Sequence, residues 1–204
     1  CNFDRVLREG IDSYRQRIDE RMKSDMTNDE EVFLKSCINV YDAIKVWHER
    51  YLLELKSQGK DELYDNLKNV PFNPPKNFRQ AIQSLWFTFA FTRLCGNWSG
   101  IGRIDMMLGE YLANDLKSGI ITIDEAREFI SHFWIKGCEW IRLDLYARGS
   151  GDSQHYQNIV LAGCDINGNE IANEVTQLVL EVVEEFPIPD YPIAVRLNDD
   201  SPEW

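Results

Sequence analysis

The stretch "RLCGNWSGIGRIDMMLGEYLANDL" (residues 93–116) decides how the rest of the chain is interpreted. Its glycines surround Ser99 and resemble a phosphate-binding loop. A dinucleotide fingerprint, however, needs a third glycine where Asp105 stands, and a Walker loop needs Lys followed by Ser or Thr after Gly102, where Arg103 follows. In a nucleophile elbow the serine would stand one place earlier. All three interpretations fail, and the stretch predicts a glycine-rich connection ahead of a helix.

Helical periodicity extends on both sides of this stretch. Apolar residues recur every three or four positions, which predicts helices from 3 to 22, from Thr27 to Gly59, over 78–94, from 104 to Gly119 and from Thr122 to 145. Thr27 and Thr122 are each followed three residues later by glutamate, the spacing of a capping box. In the second helix, the apolar residues from 32 to 55 are expected to face the core. His48 lies off that stripe and is expected on the surface.

The pattern changes near residue 150. Two short apolar runs, "YQNIVLAG" (156–163) and "PIAVRL" (192–197), are typical of buried strands. Between them lie an Asn167-Gly168 turn and a helix that Asn173 can cap. A strand, a helix and a strand with short links form a βαβ unit, so the strands are expected to be parallel. The fold class is therefore helix-rich α/β, mainly helical over 1–146 and strand–helix–strand over 147–204.

The composition of the chain excludes some classes of binding partner. Acidic residues outnumber basic ones by 34 to 22, a net charge of -12. This argues against nucleic acid and anionic membranes, which both require basic surfaces. No apolar run reaches the roughly 20 residues of a membrane helix.

Cysteine and histidine usage suggests neither disulfides nor metal. The five cysteines are spread without a C-x-x-C motif, as expected for a reducing, cytoplasmic compartment. The three histidines lack ligand spacing, and "DINGNE" (residues 165–170) predicts an Asx-rich turn, because its glycine comes too early for a calcium loop.

Several segments, in order, resemble the glycyl radical enzymes, the pyruvate formate-lyase-like superfamily. They are "VLREGIDSYRQRI", "VPFNPPKNFRQAIQSLWF", "SGIGRIDMMLGEYLANDLKSGIITIDEAREFISHFWIK", "NIVLAGCDINGNEIANEVTQLVLE" and "PDYPIAVRLNDDSP". The resemblance spans essentially the whole chain. It implies helices packed outside a ten-stranded β/α barrel, of which this chain carries the first parallel strands.

The resemblance also implies a reaction. A parent enzyme would cleave a C–C or C–heteroatom bond of a small-molecule substrate by thiyl-radical chemistry, after a radical S-adenosylmethionine activase installs a glycyl radical. The parent is expected to be cytoplasmic, anaerobic and homodimeric. The family's cysteine loop and radical glycine are not found in this chain, so no catalytic residue is assigned, no cofactor is expected to be bound by it, and the chain alone is expected to be inactive. Cys138, next to Glu139, is interpreted as a buried helix residue.

Site residues follow from the same resemblance. Asn97 and Trp98 stand where relatives approach the substrate, and an indole at position 98 departs from the family and would reshape the pocket. His155 or Tyr156 would line the same cavity. The motif residues Gly102, Arg103 and Asp105 are expected to be structural.

A different class of function stays open. The chain could be a catalytically silent helical binding or scaffold domain that shares only the partial fold, since a fold alone does not establish a function. Trp98 and His155 argue against a plain pyruvate formate-lyase and leave a dehydratase, a decarboxylase or another lyase.

Overall fold

A computed structural model of the chain describes residues 2–94, 99–137, 158–188 and 192–203. Within these ranges it contains eight helices and two strands. They are α1 (Phe3–Glu9), α2 (Asp12–Arg21), α3 (Asn28–Ser57), α4 (Asp61–Leu67), α5 (Phe78–Leu94), α6 (Ile104–Lys117), α7 (Ile123–Lys136), β1 (Ile159–Ala162), α8 (Glu174–Glu185) and β2 (Ile193–Arg196). The predicted helix-rich α/β class is confirmed. In the described part of the chain, no helix has the length and apolar character that a membrane crossing requires.

The described residues divide into two compact units. The helical unit contains Asn2–Pro75 and Gln83–Phe91, and the strand unit contains Lys76–Ile82 and the residues from Thr92 onward.

In the helical unit, the prediction of one helix over residues 3–22 is wrong. Gly10 separates α1 from α2 and has a φ of +74°, a conformation that favours glycine. A Cβ at this position would collide with the carbonyl group of Phe72. Two backbone bonds hold the connection there, from Ile11 N to Pro71 O (2.9 Å) and from Asp12 N to Phe72 O (3.1 Å). The break is set by a residue about 60 positions away, which local periodicity does not register.

The long helix α3 begins as predicted. Thr27 Oγ1 accepts a hydrogen bond from Glu30 N (3.3 Å), and Glu30 Oε2 accepts one from Thr27 N (2.8 Å), which completes the capping box. Its apolar stripe is far less buried than expected, because Phe33 keeps 66% of its surface exposed and Val40 keeps 51%. The sequence predicts the helix but not the solvent exposure of its apolar side chains.

His48 corrects the surface expectation for that residue. It is 3% exposed and is the buried residue of α3. Its Nε2 lies 3.0 Å from the carbonyl oxygens of both Leu67 and Val70. Carbonyl oxygens only accept, so Nε2 carries the proton and donates to both. The histidine thereby satisfies two backbone acceptors at the end of α4, a helix that periodicity did not predict.

In the strand unit, α6 packs against β1, and α8 packs against both α6 and α7. The capping box predicted at Thr122 and the cap predicted at Asn173 are both present, and the cap at Asn173 is a full capping box with Thr176. β1 and β2 pair in parallel with Ile159 opposite Ile193, as the βαβ pattern predicted. Side chains of all three helices and of β1 form the core. Those below 2% exposure include Ile104, Leu108, Leu112, Ile130, Trp134, Ile159 and Leu161.

The pairing extends one step beyond β1, to a segment not predicted as a strand. Gly102 forms a parallel bridge with Ile159. Gly102 N donates to Asn158 O (3.0 Å), and Gly102 O accepts from Val160 N (2.9 Å). The glycine-rich connection is therefore the parallel neighbour of β1, on the side opposite β2.

Candidate functional site

In the strand unit, the polar side chains of Arg103 and Asp105 lie where β1 ends. The motif Gly102–Asp105 supplies them, since Gly102 pairs with β1 and Arg103 directly precedes α6. Gly102 has a φ of +84°, so the chain turns from the strand direction into the helix at a residue without a side chain. The turn places Arg103 and Asp105 beside the carboxyl end of β1.

Asp105 is fully buried, at 0% exposure, and accepts three hydrogen bonds. Its Oδ2 accepts from Ala162 N (2.6 Å) and from Thr176 Oγ1 (2.8 Å), and its Oδ1 accepts from Met106 N (2.8 Å). A carboxylate in the first turn of a helix also meets the positive end of the helix dipole. One side chain therefore ties together the start of α6, the end of β1 and the first turn of α8.

Arg103 holds the same strand end from the carbonyl side. Its Nη2 donates to Ala162 O (2.8 Å) and its Nη1 donates to Cys164 O (2.9 Å). The remaining nitrogen of the guanidinium, Nε, is buried and has no hydrogen-bond partner within the described ranges. Together, Asp105 and Arg103 bind both backbone groups of Ala162.

The backbone that they bind is strained. Ala162 has a φ of +55°, the single positive value of a residue other than glycine within the described ranges, and Gly163 follows with +81°. A non-glycine residue in this region costs on the order of 1–3 kcal/mol and persists only where its surroundings determine it. Gly163 also lacks room, because a Cβ would lie 2.8 Å from Arg196 Cβ on β2. The hydrogen bonds from Arg103 and to Asp105, together called the clamp, hold the Ala162 backbone in this conformation.

A second polar cluster joins the ends of the two strands. Glu170 Oε1 accepts from the backbone N of Ile171 and of Ala172 (both 2.9 Å). Its Oε2 accepts from Asn198 Nδ2 (2.7 Å) and Ser201 Oγ (2.8 Å), beyond the end of β2. The backbone bond from Ala172 comes first among the causes that hold the pKa of Glu170 below its ordinary value.

Sequence reasoning missed this cluster. Its partners lie 28 and 31 positions from Glu170, and no motif connects them. Asn198 Nδ2 also lies 3.0 Å from Cys164 Sγ, so that the residues following β1 and β2 are in direct contact.

The predicted Asx-rich turn is present. Asp165 accepts from Asn167 N (2.8 Å), Asn169 N (2.9 Å) and Asn169 Nδ2 (3.0 Å), and the Asn169 side chain leads the causes that lower its pKa. Its carboxylate is thus used inside the turn. In the part of the chain that the structure describes, no group of three His, Cys, Asp or Glu residues is placed to hold a metal ion.

The predicted pocket residues Asn97, Trp98, His155 and Tyr156 lie outside the described residues, as do Cys138 and Glu139. The described residues next to both pocket segments are in contact. A Cβ on Gly100 would lie 3.2 Å from Asn158 O, and two residues further on Gly102 pairs with Ile159. The residues that follow the first pocket segment, Gly100 to Gly102, therefore lie beside those that follow the second, Asn158 and Ile159.

Comparison with known proteins gives one family. The sequence model of the family described as "Pyruvate formate lyase-like" matches residues 1–204. Among curated proteins, isethionate sulfite-lyase of Bilophila wadsworthia is 27% identical over 227 residues, which cover 99% of this chain and 27% of that protein. Trans-4-hydroxy-L-proline dehydratase of Clostridioides difficile is 23% identical over 223 residues, which cover 98% of this chain and 28% of that protein. The chain therefore spans little more than a quarter of the length of these relatives.

A solved structure supports the fold. The glycyl radical enzyme from Archaeoglobus fulgidus superimposes with a TM-score of 0.84 at 24% identity, over 99% of this chain and 29% of that one. At this identity the likeness establishes the fold alone.

Proposed function

Because the chain belongs to the pyruvate formate lyase-like family, we propose that it is part of a glycyl radical enzyme that cleaves a C–C or C–heteroatom bond in a small polar organic substrate. The observation that carries the proposal is the family match over residues 1–204. A relative named as a lyase and another named as a dehydratase support the general kind of reaction. Lyase, dehydratase and decarboxylase activities are the alternatives within it.

The radical machinery is assigned to the rest of a longer parent protein. The chain spans 27% of the sulfite-lyase and 28% of the dehydratase, which leaves ample length for a cysteine loop and a radical glycine. A separate radical S-adenosylmethionine activase would generate the glycyl radical. The parent would act in the cytoplasm as a homodimer. The 204 residues alone would be inactive and would bind no cofactor.

All 204 residues are proposed to belong to one barrel domain of this enzyme. Gly102, β1 and β2 form three parallel neighbours in that order, and α6 and α7 connect the first to the second. Repetition of a strand, a helical layer and the next parallel strand is how a β/α barrel is built. These segments would be adjacent strands of a ten-stranded barrel.

Asn97, Trp98, His155 and Tyr156 are proposed to line one substrate pocket. Trp98 precedes Gly100 by two residues, and Tyr156 precedes Asn158 by two, while Gly100 and Asn158 are neighbours. Two residues of extended chain span at most about 7 Å. This short distance along the chain supports the assignment of Trp98 and Tyr156 to one pocket.

Gly102, Arg103 and Asp105 are proposed to act structurally beside this pocket. Gly102 pairs with the strand that follows His155 and Tyr156, and the clamp holds the other end of that strand. A strand fixed at both ends keeps the pocket segments in register. Such support is what a precise binding site requires from its surroundings.

The first test is the intact mass of the protein from its native host, measured anaerobically before proteolysis. A mass several times the 23.8 kDa of this chain is expected, followed by a glycyl radical signal in electron paramagnetic resonance after activation. A mass equal to this chain would replace the enzyme with the silent binding or scaffold domain.

A second test addresses the pocket. In the activated parent enzyme, His155→Ala should lower kcat/KM by about 10- to 100-fold, the effect of losing one or two hydrogen bonds to substrate. The amplitude of the radical signal should be unchanged. His132→Ala, on the surface of α7, is the matched control and should leave both quantities unchanged. Equal kinetics for the two variants would remove His155 from the pocket.

A further inference from the structure

The helical unit contains an open groove of about 880 Å³ between α1–α2 and α3. Its floor belongs to a packed cluster in which Tyr14, Tyr41 and Ile44 lie against the buried side chains of Val6 and Ile11. The Tyr41 hydroxyl donates to Asp12 Oδ1 (2.8 Å), and burial together with this bond raises the pKa of Tyr41 to about 12. The floor is thus held in place by the fold, and the groove is preformed.

The charge of the groove is opposite to that of the chain. The lining includes four arginines (Arg5, Arg15, Arg17 and Arg21) and, within the described part of the chain, no aspartate or glutamate. The chain as a whole has 34 acidic residues and 22 basic ones. Three of the arginines form ion pairs with carboxylates, namely Arg5 with Glu9, Arg15 with both Asp19 and Asp42, and Arg21 with Glu30. Exposed pairs of this kind contribute about 1 kcal/mol or less, so the arginines can readily bind other carboxylates.

The groove is also apolar and incompletely covered. Phe33 and Val40 of α3 line it, with exposed fractions of 66% and 51%. A contiguous apolar surface of this kind marks a place where another surface binds, and left open it favours aggregation. A permanent cover fits this surface better than a transient one.

A second copy of the chain fits the groove poorly. In a two-fold symmetric dimer the same patch lies on both sides of the interface. Pairing the groove with itself would bring four arginines against four arginines and one concavity against another. The cover must therefore be a different surface, which carries apolar side chains and negative charge.

We propose that the groove between α1–α2 and α3 holds a segment of the parent polypeptide outside residues 1–204, with apolar side chains on Phe33 and Val40 and carboxylates at the arginines. This inference rests on the proposed function, because that proposal supplies the longer polypeptide. The chain spans 27% of its sulfite-lyase relative, so such a parent has the length to supply the segment. Attachment in the same polypeptide gives a high effective concentration and hence the permanent cover that the apolar surface needs.

Photo-cross-linking in the intact parent protein tests the inference. p-Benzoyl-phenylalanine is placed at Phe33 and, as the matched control, at Val46, which is exposed on α3 (49%) and does not line the groove. The expected product from position 33 is an intramolecular cross-link to one segment outside residues 1–204 that contains Asp or Glu. The yield from position 46 should be lower. Phe33→p-benzoyl-phenylalanine keeps an exposed aromatic side chain, so the fold is retained.

Charge reversal sharpens the same experiment. Arg17→Glu should lower the cross-link yield from position 33 by about two- to fivefold, the effect of losing and then opposing one charge pair. Lys45→Glu makes the same charge change on α3 away from the groove and should leave the yield unchanged. Cross-links to a second copy or to another protein, no cross-link at all, or equal yields from positions 33 and 46 would each overturn the inference. The intact mass separates these failures from failure of the proposed function, because a parent of 23.8 kDa would refute both together.

Discussion

Helices α3 and α6 differ in how their sequences relate to their burial. α3 has 30 residues and a complete capping box, but His48 is its one buried residue within the described ranges. α6 has 14 residues and no side-chain cap, yet seven of its residues are buried, including Asp105 and Asp115. The capping signal in the sequence is therefore stronger in α3, although α3 is the less buried of the two helices.

The difference lies in long-range polar contacts. Asp105 of α6 accepts from Ala162 N, and Asp115 of α6 accepts from Phe78 N (2.7 Å). Each buried carboxylate satisfies a backbone group of another element, so α6 is tied to its neighbours by bonds that are costly to break. Among its described residues, α3 makes one buried contact of this kind, the bonds from His48 to two carbonyls, while its bond from Tyr41 to Asp12 is only partly buried. Substitutions at these residues test whether the contacts explain why α6 is held more firmly than α3.

Removing the α6 clamp should have the largest effect. Asp105→Ala leaves the buried donors Ala162 N and Thr176 Oγ1 without an acceptor, and should lower the free energy of unfolding by about 3–5 kcal/mol. Urea unfolding followed by circular dichroism measures it. Thr176→Val removes one partner only and should cost less. A loss below about 1 kcal/mol for Asp105→Ala would show that the clamp does not hold the strand end.

The second largest effect is expected in the strained turn at Ala162 and Gly163, which the clamp holds. Gly163→Ala introduces a Cβ at a φ of +81° and 2.8 Å from Arg196 Cβ, so a loss of about 2–4 kcal/mol is expected. Gly168→Ala is the matched control. It has a similar φ of +86° and open space around it, so only the conformational cost of about 1 kcal/mol remains. Equal losses for the two variants would mean that contact with β2 contributes nothing.

In α3 the corresponding test is His48→Leu. The change keeps an apolar body but leaves the carbonyl groups of Leu67 and Val70 without this donor, which should cost about 1–2 kcal/mol in urea unfolding. His132→Leu on the surface of α7 should change stability by less than about 0.5 kcal/mol. If His48→Leu proved as neutral as the control, the buried bonds of His48 would not anchor α3.

These elements also show what the sequence could predict. Helix starts at Thr27, Thr122 and Asn173 were predicted because a cap is a local interaction over three residues. The parallel strands followed from the βαβ spacing. The break at Gly10 and the burial of His48 were predicted wrongly, because each depends on backbone groups 19 to 62 positions away.

In the candidate site, too, local features were predictable from the sequence and long-range contacts were not. The Gly102–Asp105 motif stands out in the sequence, but its partners at Ala162, Cys164 and Thr176 are reached only through the fold. Glu170 gave no signal, because its cluster is assembled from separate loops after β1 and β2. The pocket assignments at positions 97, 98, 155 and 156 rest on the family resemblance and stay predictions.

The smallest expected effect concerns that missed cluster and depends on pH. Four donors stabilise the ionised form of Glu170, with the backbone bond from Ala172 foremost, so its pKa in the folded protein lies below the ordinary value of 4.5. A carboxyl group with a depressed pKa contributes stability that is fully present above its unfolded pKa and is lost as the pH falls through its folded pKa. The stability of the protein should therefore decline with acid below about pH 4.5 partly through Glu170.

Glu170→Gln removes this titration, so the slope of unfolding free energy against pH should be shallower below pH 4.5 than in the unmodified protein. Urea unfolding at a series of pH values measures the slope. Ser201→Ala removes one of the four donors and should flatten the slope by a smaller amount. Identical slopes for Glu170→Gln and the unmodified protein would mean that the bonds joining the ends of β1 and β2 are not maintained in solution. The strand ends would then depend on the Asp105 clamp alone.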